Sequence, residues 1–227
     1  QAFARILTEL GLPPISDAPE MAPFLKISKS LLQEEELVKA LSESLKFMKN
    51  PDFDVNSFST AGGCRIYFVV IQIYMKNPVI LGISIQCLTF LAQKGSQDVF
   101  AGYPLIKLVL DVAVVNNAPL FGFVIQLIQY TPPPLFQYMD KLDFLDPLCD
   151  GLTLDLSEDE MQMVMYLLFH LTNSDDQISK LVTENVTEVC LKHRSDGSFM
   201  LLSKLCFNHK ACMLSIKDKL LDWVSWV

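Results

Sequence analysis

The sequence predicts an all-α fold in which about five to six degenerate helical repeats stack on one another. Three observations predict it. A leucine-rich helix ending recurs along the chain, proline-marked turns divide it at short intervals, and no run sustains the alternation of a half-buried strand.

The recurring unit is an apolar-x-x-apolar helix ending, a short polar turn, and a second apolar pair some way downstream. The first copy is Leu7 to Leu10, answered by Phe24 and Ile27. Between them, Leu12 to Pro23 holds four prolines and reads as a loop, so residues 1–30 are expected to form a degenerate N-terminal cap or first repeat. Glu34 to Glu36 is an acidic run suited to a helix start, where the macrodipole favours negative charge. That helix should end at Leu45-Lys46-Phe47-Met48, with Gly63 and Ile66 answering. Ile66 to Ile73 is rich in β-branched residues but flanked by helical periodicity, and it is read as a buried helix.

Leu88 to Ala92 is one of the clearest copies, with Leu105 and Leu108 as the answering pair. Ile125 to Ile128 follows, answered by Leu142 and Leu145. Ser157 and Glu160 have capping-box spacing and predict a helix over 157–172, which carries the copy Leu168 to Thr172 with Val186 and Val189 downstream. The last copy is Leu202 to Cys206, answered by Leu220 and Trp223. Asn50-Pro51, Asn77-Pro78, Tyr103-Pro104, Ala118-Pro119, Thr131-Pro132 and Asp146-Pro147 mark turns or first-turn positions between copies.

The anchors Leu10, Met48, Leu91, Ile128, Leu171 and Leu205 are separated by 38, 43, 37, 43 and 34 residues. Armadillo and HEAT units repeat every ~40–47 residues. Leu88 to Ala92, Leu202 to Cys206 and Ala61-Gly62-Gly63 resemble the armadillo repeat, which ends its long helix in L-x-N-L-A and places a glycine before the next helix. The resemblance implies a right-handed superhelical stack over residues 1–227 as a single solenoid domain. A chain that opens at Gln1 and closes at Trp226-Val227 within an amphipathic pattern is expected to be a piece of a longer protein.

In peptide-gripping armadillo proteins the motif asparagine bonds the peptide backbone. The matching residues here are Glu9, Phe47, Phe90, Leu127, His170 and Lys204, so a ladder of amides is not expected. Three successive apolar replacements suggest instead an apolar concave stripe for a helical partner, with Phe47, Phe90, Leu127, Tyr166 and His170 as its contacts. The opposing possibility is that the stripe turns into the core. Leu220, Leu221, Trp223 and Trp226 would offer a second surface at the C-terminal end, for a homodimer or for continuation of the stack.

Composition narrows the function classes. The net charge of −8 and the dispersed basic residues argue against nucleic acid, whose binding depends on clustered cations. Mean hydropathy is +0.31, yet the apolar runs at Ile66–Met75 and Phe121–Ile128 are too short for a bilayer, which needs ~20 residues. Six cysteines, most of them set in apolar helical stretches, favour a reducing intracellular compartment, cytoplasmic or nuclear. Cys190-x-x-His193 and Cys206-x-x-His209 have spacings that zinc could use, so a zinc-stabilised helical regulatory domain is the alternative. No nucleophile elbow or phosphate-cradling loop is present, and Asp150, Asp155, Glu158 and Asp159 gather about a helix start, so no enzyme and no cofactor are expected.

Overall fold

The computed structural model describes the chain apart from residues 1, 17, 184, 185, 209, 211, 215 and 218–227. Among the described residues the secondary structure is entirely helical. The chain divides into two compact units, Gln1–Thr131 and Pro132–Val227.

In the first unit α1 (Ala2–Glu9) is followed by a 3-10 stretch Pro19–Phe24, α2 (Leu25–Lys29), α3 (Glu34–Met48), α4 (Val55–Thr60), α5 (Cys64–Ile73), α6 (Pro78–Gln93), α7 (Tyr103–Asn116) and α8 (Ala118–Ile128). Helices alternate between two layers as the chain advances. One layer is α3 on α6 and α6 on α8; the other is α1 on α5 and α5 on α7, with α5 packing on α6 and α7 on α8 across the layers.

Local sequence explains where these helices begin. Asn77 accepts from the backbone N–H groups of Val79 and Ile80 with Pro78 in the first turn, and Asn117 accepts from Leu120 with Pro119 in the same place. A side-chain acceptor satisfies donors that the helix cannot, and proline has no N–H to lose. Asp54 caps α4 in the same way through Asn56 and Ser57, and the Ser57 hydroxyl, donating to it at 2.6 Å, acts first and the capping N–H groups second to hold its carboxyl below the usual range. Gly63 opens α5 because Phe58 lies against it: a Cβ there would meet the Phe58 ring at 2.2 Å. The β-branched run Ile66 to Ile73 is helical, buried from Ile66 through Ile71. Tertiary burial outweighs its strand propensity.

The second unit contains a 3-10 turn Pro133–Leu135, α9 (Phe136–Lys141), α10 (Leu145–Gly151), α11 (Glu158–Leu171), α12 (Asp175–Thr183), α13 (Val186–His193) and α14 (Asp196–Asn208). Its centre is α11 on α14, with α9 and α10 against α11 and with α12 and α13 against α14. The capping box is present: Ser157 Oγ accepts from the Glu160 N–H at 3.3 Å, and the Ser157 N–H donates to Glu160 Oε2 at 2.9 Å.

The recurring motif falls on helix ends. Leu45–Met48, Leu88–Ala92, Ile125–Ile128 and Leu168–Leu171 close α3, α6, α8 and α11, and Leu202–Cys206 lies in the last turns of α14. Five of the six anchors, Met48, Leu91, Ile128, Leu171 and Leu205, are buried, while Leu10, in the turn after α1, is half-buried. Burial on nearly every side also accounts for the hydropathy. In α8, Leu120, Phe121, Val124, Ile125, Leu127 and Ile128 are all in the core, as expected of an inner helix.

Candidate functional site

The residues expected to form a concave stripe differ in exposure. Leu127 is 0% exposed and belongs to the core of the first unit, because α8 packs on both α6 and α7 and leaves that side no outlet. Phe90 is half-buried, with the Lys94 ammonium 5.7 Å from its ring centre. Phe47 is exposed but engaged with neighbouring rings: it meets Phe24 edge-on at 5.7 Å and Phe53 at 6.0 Å.

In the second unit Tyr166 and His170 do come together, with ring centres 4.4 Å apart on successive turns of α11. Phe136 stacks on His170 at 4.7 Å and Phe169 meets it edge-on. The His170 Nε2 is buried without a hydrogen-bond partner, and burial, aided by the Lys204 charge, lowers its pKa below the usual 6.5. Lys204 donates to the Phe169 carbonyl at 2.7 Å and lies over the Phe169 ring, so it caps the end of α11. Trp223 and Trp226 lie outside the described residues.

The residues offered for zinc are differently engaged. Cys190 is buried with its Sγ 3.6 Å from Met165 Sδ, and Cys206 stands 3.8 Å from Cys212. His193 is half-buried, and His209 lies outside the described residues. Among the described residues no three His, Cys, Asp or Glu side chains gather around a point where a metal could sit. Burial pushes the thiols of Cys64, Cys87 and Cys190 up to about 12, so they remain protonated and serve as small core residues.

An apolar surface exists elsewhere, at the opposite end of the helices from the motif. Pro78 and Leu81 of α6, Val112 and Val115 of α7, and Leu120 at the start of α8 surround a groove of about 260 Å³. Met75, Lys76 and Asn117 complete its wall, and Lys76 is the one charged residue lining it. A neighbouring hollow of about 300 Å³ carries the apolar surface on over Val79, Ile83, Pro119 and Phe123.

The exposure is unusual for such residues. Val79 is 59% and Val115 68% exposed, and Leu108, Val112 and Val115 form a stripe at helical spacing on α7. Leu108 was expected to answer Leu88–Ala92 from the core together with Leu105. Leu105 is buried, whereas Leu108, nearly a full turn further along α7, faces outward.

Compared with known proteins, the chain matches no family model, no curated protein and no solved structure. Among the described residues no helix is long and apolar enough to cross a membrane.

Proposed function

We propose that this chain is a non-catalytic protein-interaction scaffold, an armadillo-like right-handed stack whose groove at the starts of α6 and α8 receives an amphipathic helix. The observation that carries the reading is the apolar stripe of Val112 and Val115 facing Pro78 and Leu120 across a groove lined by only one charge. Exposed apolar grooves of this kind accept a helix through anchors spaced i, i+4, i+7. Lys76 selects a partner with an acidic residue beside those anchors, since complementary charge fixes register and hastens encounter. The buried thiols of Cys64, Cys87 and Cys190 support work in a reducing compartment, cytoplasmic or nuclear.

The test uses synthetic helical peptides of about 18 residues with leucines at i, i+4 and i+7 and flanking glutamates. Titrated by fluorescence anisotropy, they should bind saturably, and a Val112→Asp/Val115→Asp variant should bind at least about tenfold more weakly. Both side chains are exposed, so the variant keeps its helical circular dichroism. Equal binding by the variant, or no binding by the parent chain, overturns the groove.

A further inference from the structure

The start of α3 lies beside the start of α6. Asn77, the residue that caps α6, donates from its side-chain amide to Glu34 Oε2 at 3.1 Å, and the Tyr74 hydroxyl donates to the Leu31 carbonyl at 2.9 Å. The turn that enters α6 is thereby tied to the segment that enters α3. Glu34, Tyr74 and Lys76 line a hollow of about 590 Å³ there, with Ile73, Met75 and Pro78 as its apolar wall.

This hollow continues the groove at the starts of α6 and α8, since Met75, Lys76 and Pro78 line both. The two sides of the groove are unlike. Toward Val79, Ile83 and Phe123 no charged residue lines the surface, whereas on the side of Tyr74 it meets a carboxylate. Glu34 is exposed and bonded to a neutral amide, and neither it nor Lys76 joins an ion pair among the described residues. Tyr74 is half-buried. Burial first and the Glu34 charge second raise its pKa, so the phenol stays protonated and feels the carboxylate across the same hollow.

A carboxylate beside an aromatic ring and a thioether is a setting for a guanidinium. Arginine is planar and weakly hydrated, donates through two N–H groups to one carboxylate and packs its plane on a ring, whereas lysine offers a compact, strongly hydrated point charge. We propose that the hollow takes an arginine of the partner helix, its guanidinium on Glu34 and against Tyr74. The inference rests on the helix-binding groove proposed for this surface. Lys76 then meets the partner's carboxylate, and Glu34 meets its arginine further out. Charges of both signs in a fixed order admit the helix in one direction only, because the reversed helix leaves both unpaired.

The test adds one residue to the leucine and glutamate peptides. Arginine is placed beyond the leucines at either the N-terminal or the C-terminal end, and each such peptide is paired with its citrulline twin, which has nearly the same shape and no charge. Titrated against the whole chain by fluorescence anisotropy, arginine should exceed citrulline by about fivefold in affinity at one end and show no advantage at the other. In Glu34→Gln, which keeps an acceptor for Asn77 and should keep the helical circular dichroism, that ratio should fall to about one. The ratio should also shrink in about 0.5 M salt, because exposed charges are screened. An equal gain at both ends, no gain at either, or a gain that survives Glu34→Gln overturns the arginine site. If all the peptides bind alike, the groove stands without it. If none binds, the groove itself has failed and the arginine site falls with it.

Discussion

The Tyr67 hydroxyl donates to Ser44 Oγ at 3.2 Å in the fully buried centre of the first unit, joining α5 to α3. Ser44 donates in turn to the Leu41 carbonyl at 2.7 Å, and the Met48 and Cys87 sulfurs complete the surroundings. Burial drives the phenol pKa well above its usual value, so the hydroxyl stays a donor. Tyr67→Phe should cost about 1 kcal/mol, the net worth of one hydrogen bond. Ser44→Ala should cost more, about 1–3 kcal/mol, because it leaves the phenol facing only sulfur. Urea unfolding of the two variants and their combination checks this, and the double variant should lose less than the sum.

Gly63 is held by space rather than by backbone conformation. Its φ of −59° is open to any residue, yet an added methyl would overlap the Phe58 ring. Gly63→Ala should therefore destabilise by about 1–3 kcal/mol, the usual cost of overpacking. Phe58→Leu placed beside it should recover part of that loss in the melting temperature.

Ser157 holds the start of α11 through its hydroxyl, and the Glu160 carboxylate answers it. Ser157→Ala should cost about 1 kcal/mol in urea unfolding, as cap removal does elsewhere. Ser157→Asp should lose much less, since it retains an acceptor.

His170 should make the stability of the chain depend on pH. Its folded pKa lies below the unfolded 6.5, so between the two values the unfolded chain binds more protons. The stabilisation is complete above about pH 6.5 and is lost as pH falls toward the folded value. Lys204 on α14 adds a like charge and no acceptor faces Nε2, so protonation finds no compensation. Urea unfolding between pH 7.5 and 5 should show that loss, and His170→Gln should remove the part of the slope that this residue contributes.

Helix positions were legible in the sequence because a helix end is written locally. Asn77-Pro78, Ser157 with Glu160 and the apolar-x-x-apolar endings each act within one or two turns. Which way the motif's third residue points is not local. It depends on how many neighbours the helix has, and the same position is buried at Leu127, half-buried at Phe90 and exposed at Phe47. The groove was missed for a related reason. Val112 and Val115 have the composition of core residues, and only the packing of α7 on α5 and α8 reveals that they lie on its outer side.

That difference in direction sets Leu127 against Val115 as a pair of opposed substitutions. Leu127→Asp places a carboxylate at a site with no exposure, on a helix with no basic residue in its last turn. An uncompensated buried charge costs several kcal/mol, commonly about 3–5, which approaches the whole stability of a domain of this size. The first unit should lose cooperative unfolding in that variant, and any peptide binding should vanish with the fold. Val115→Asp, at 68% exposure, should leave the unfolding midpoint within about 0.5 kcal/mol of the parent while weakening peptide binding. Urea unfolding followed by helical circular dichroism separates the two. A folded Leu127→Asp chain would mean that α8 is not the inner helix of its layer.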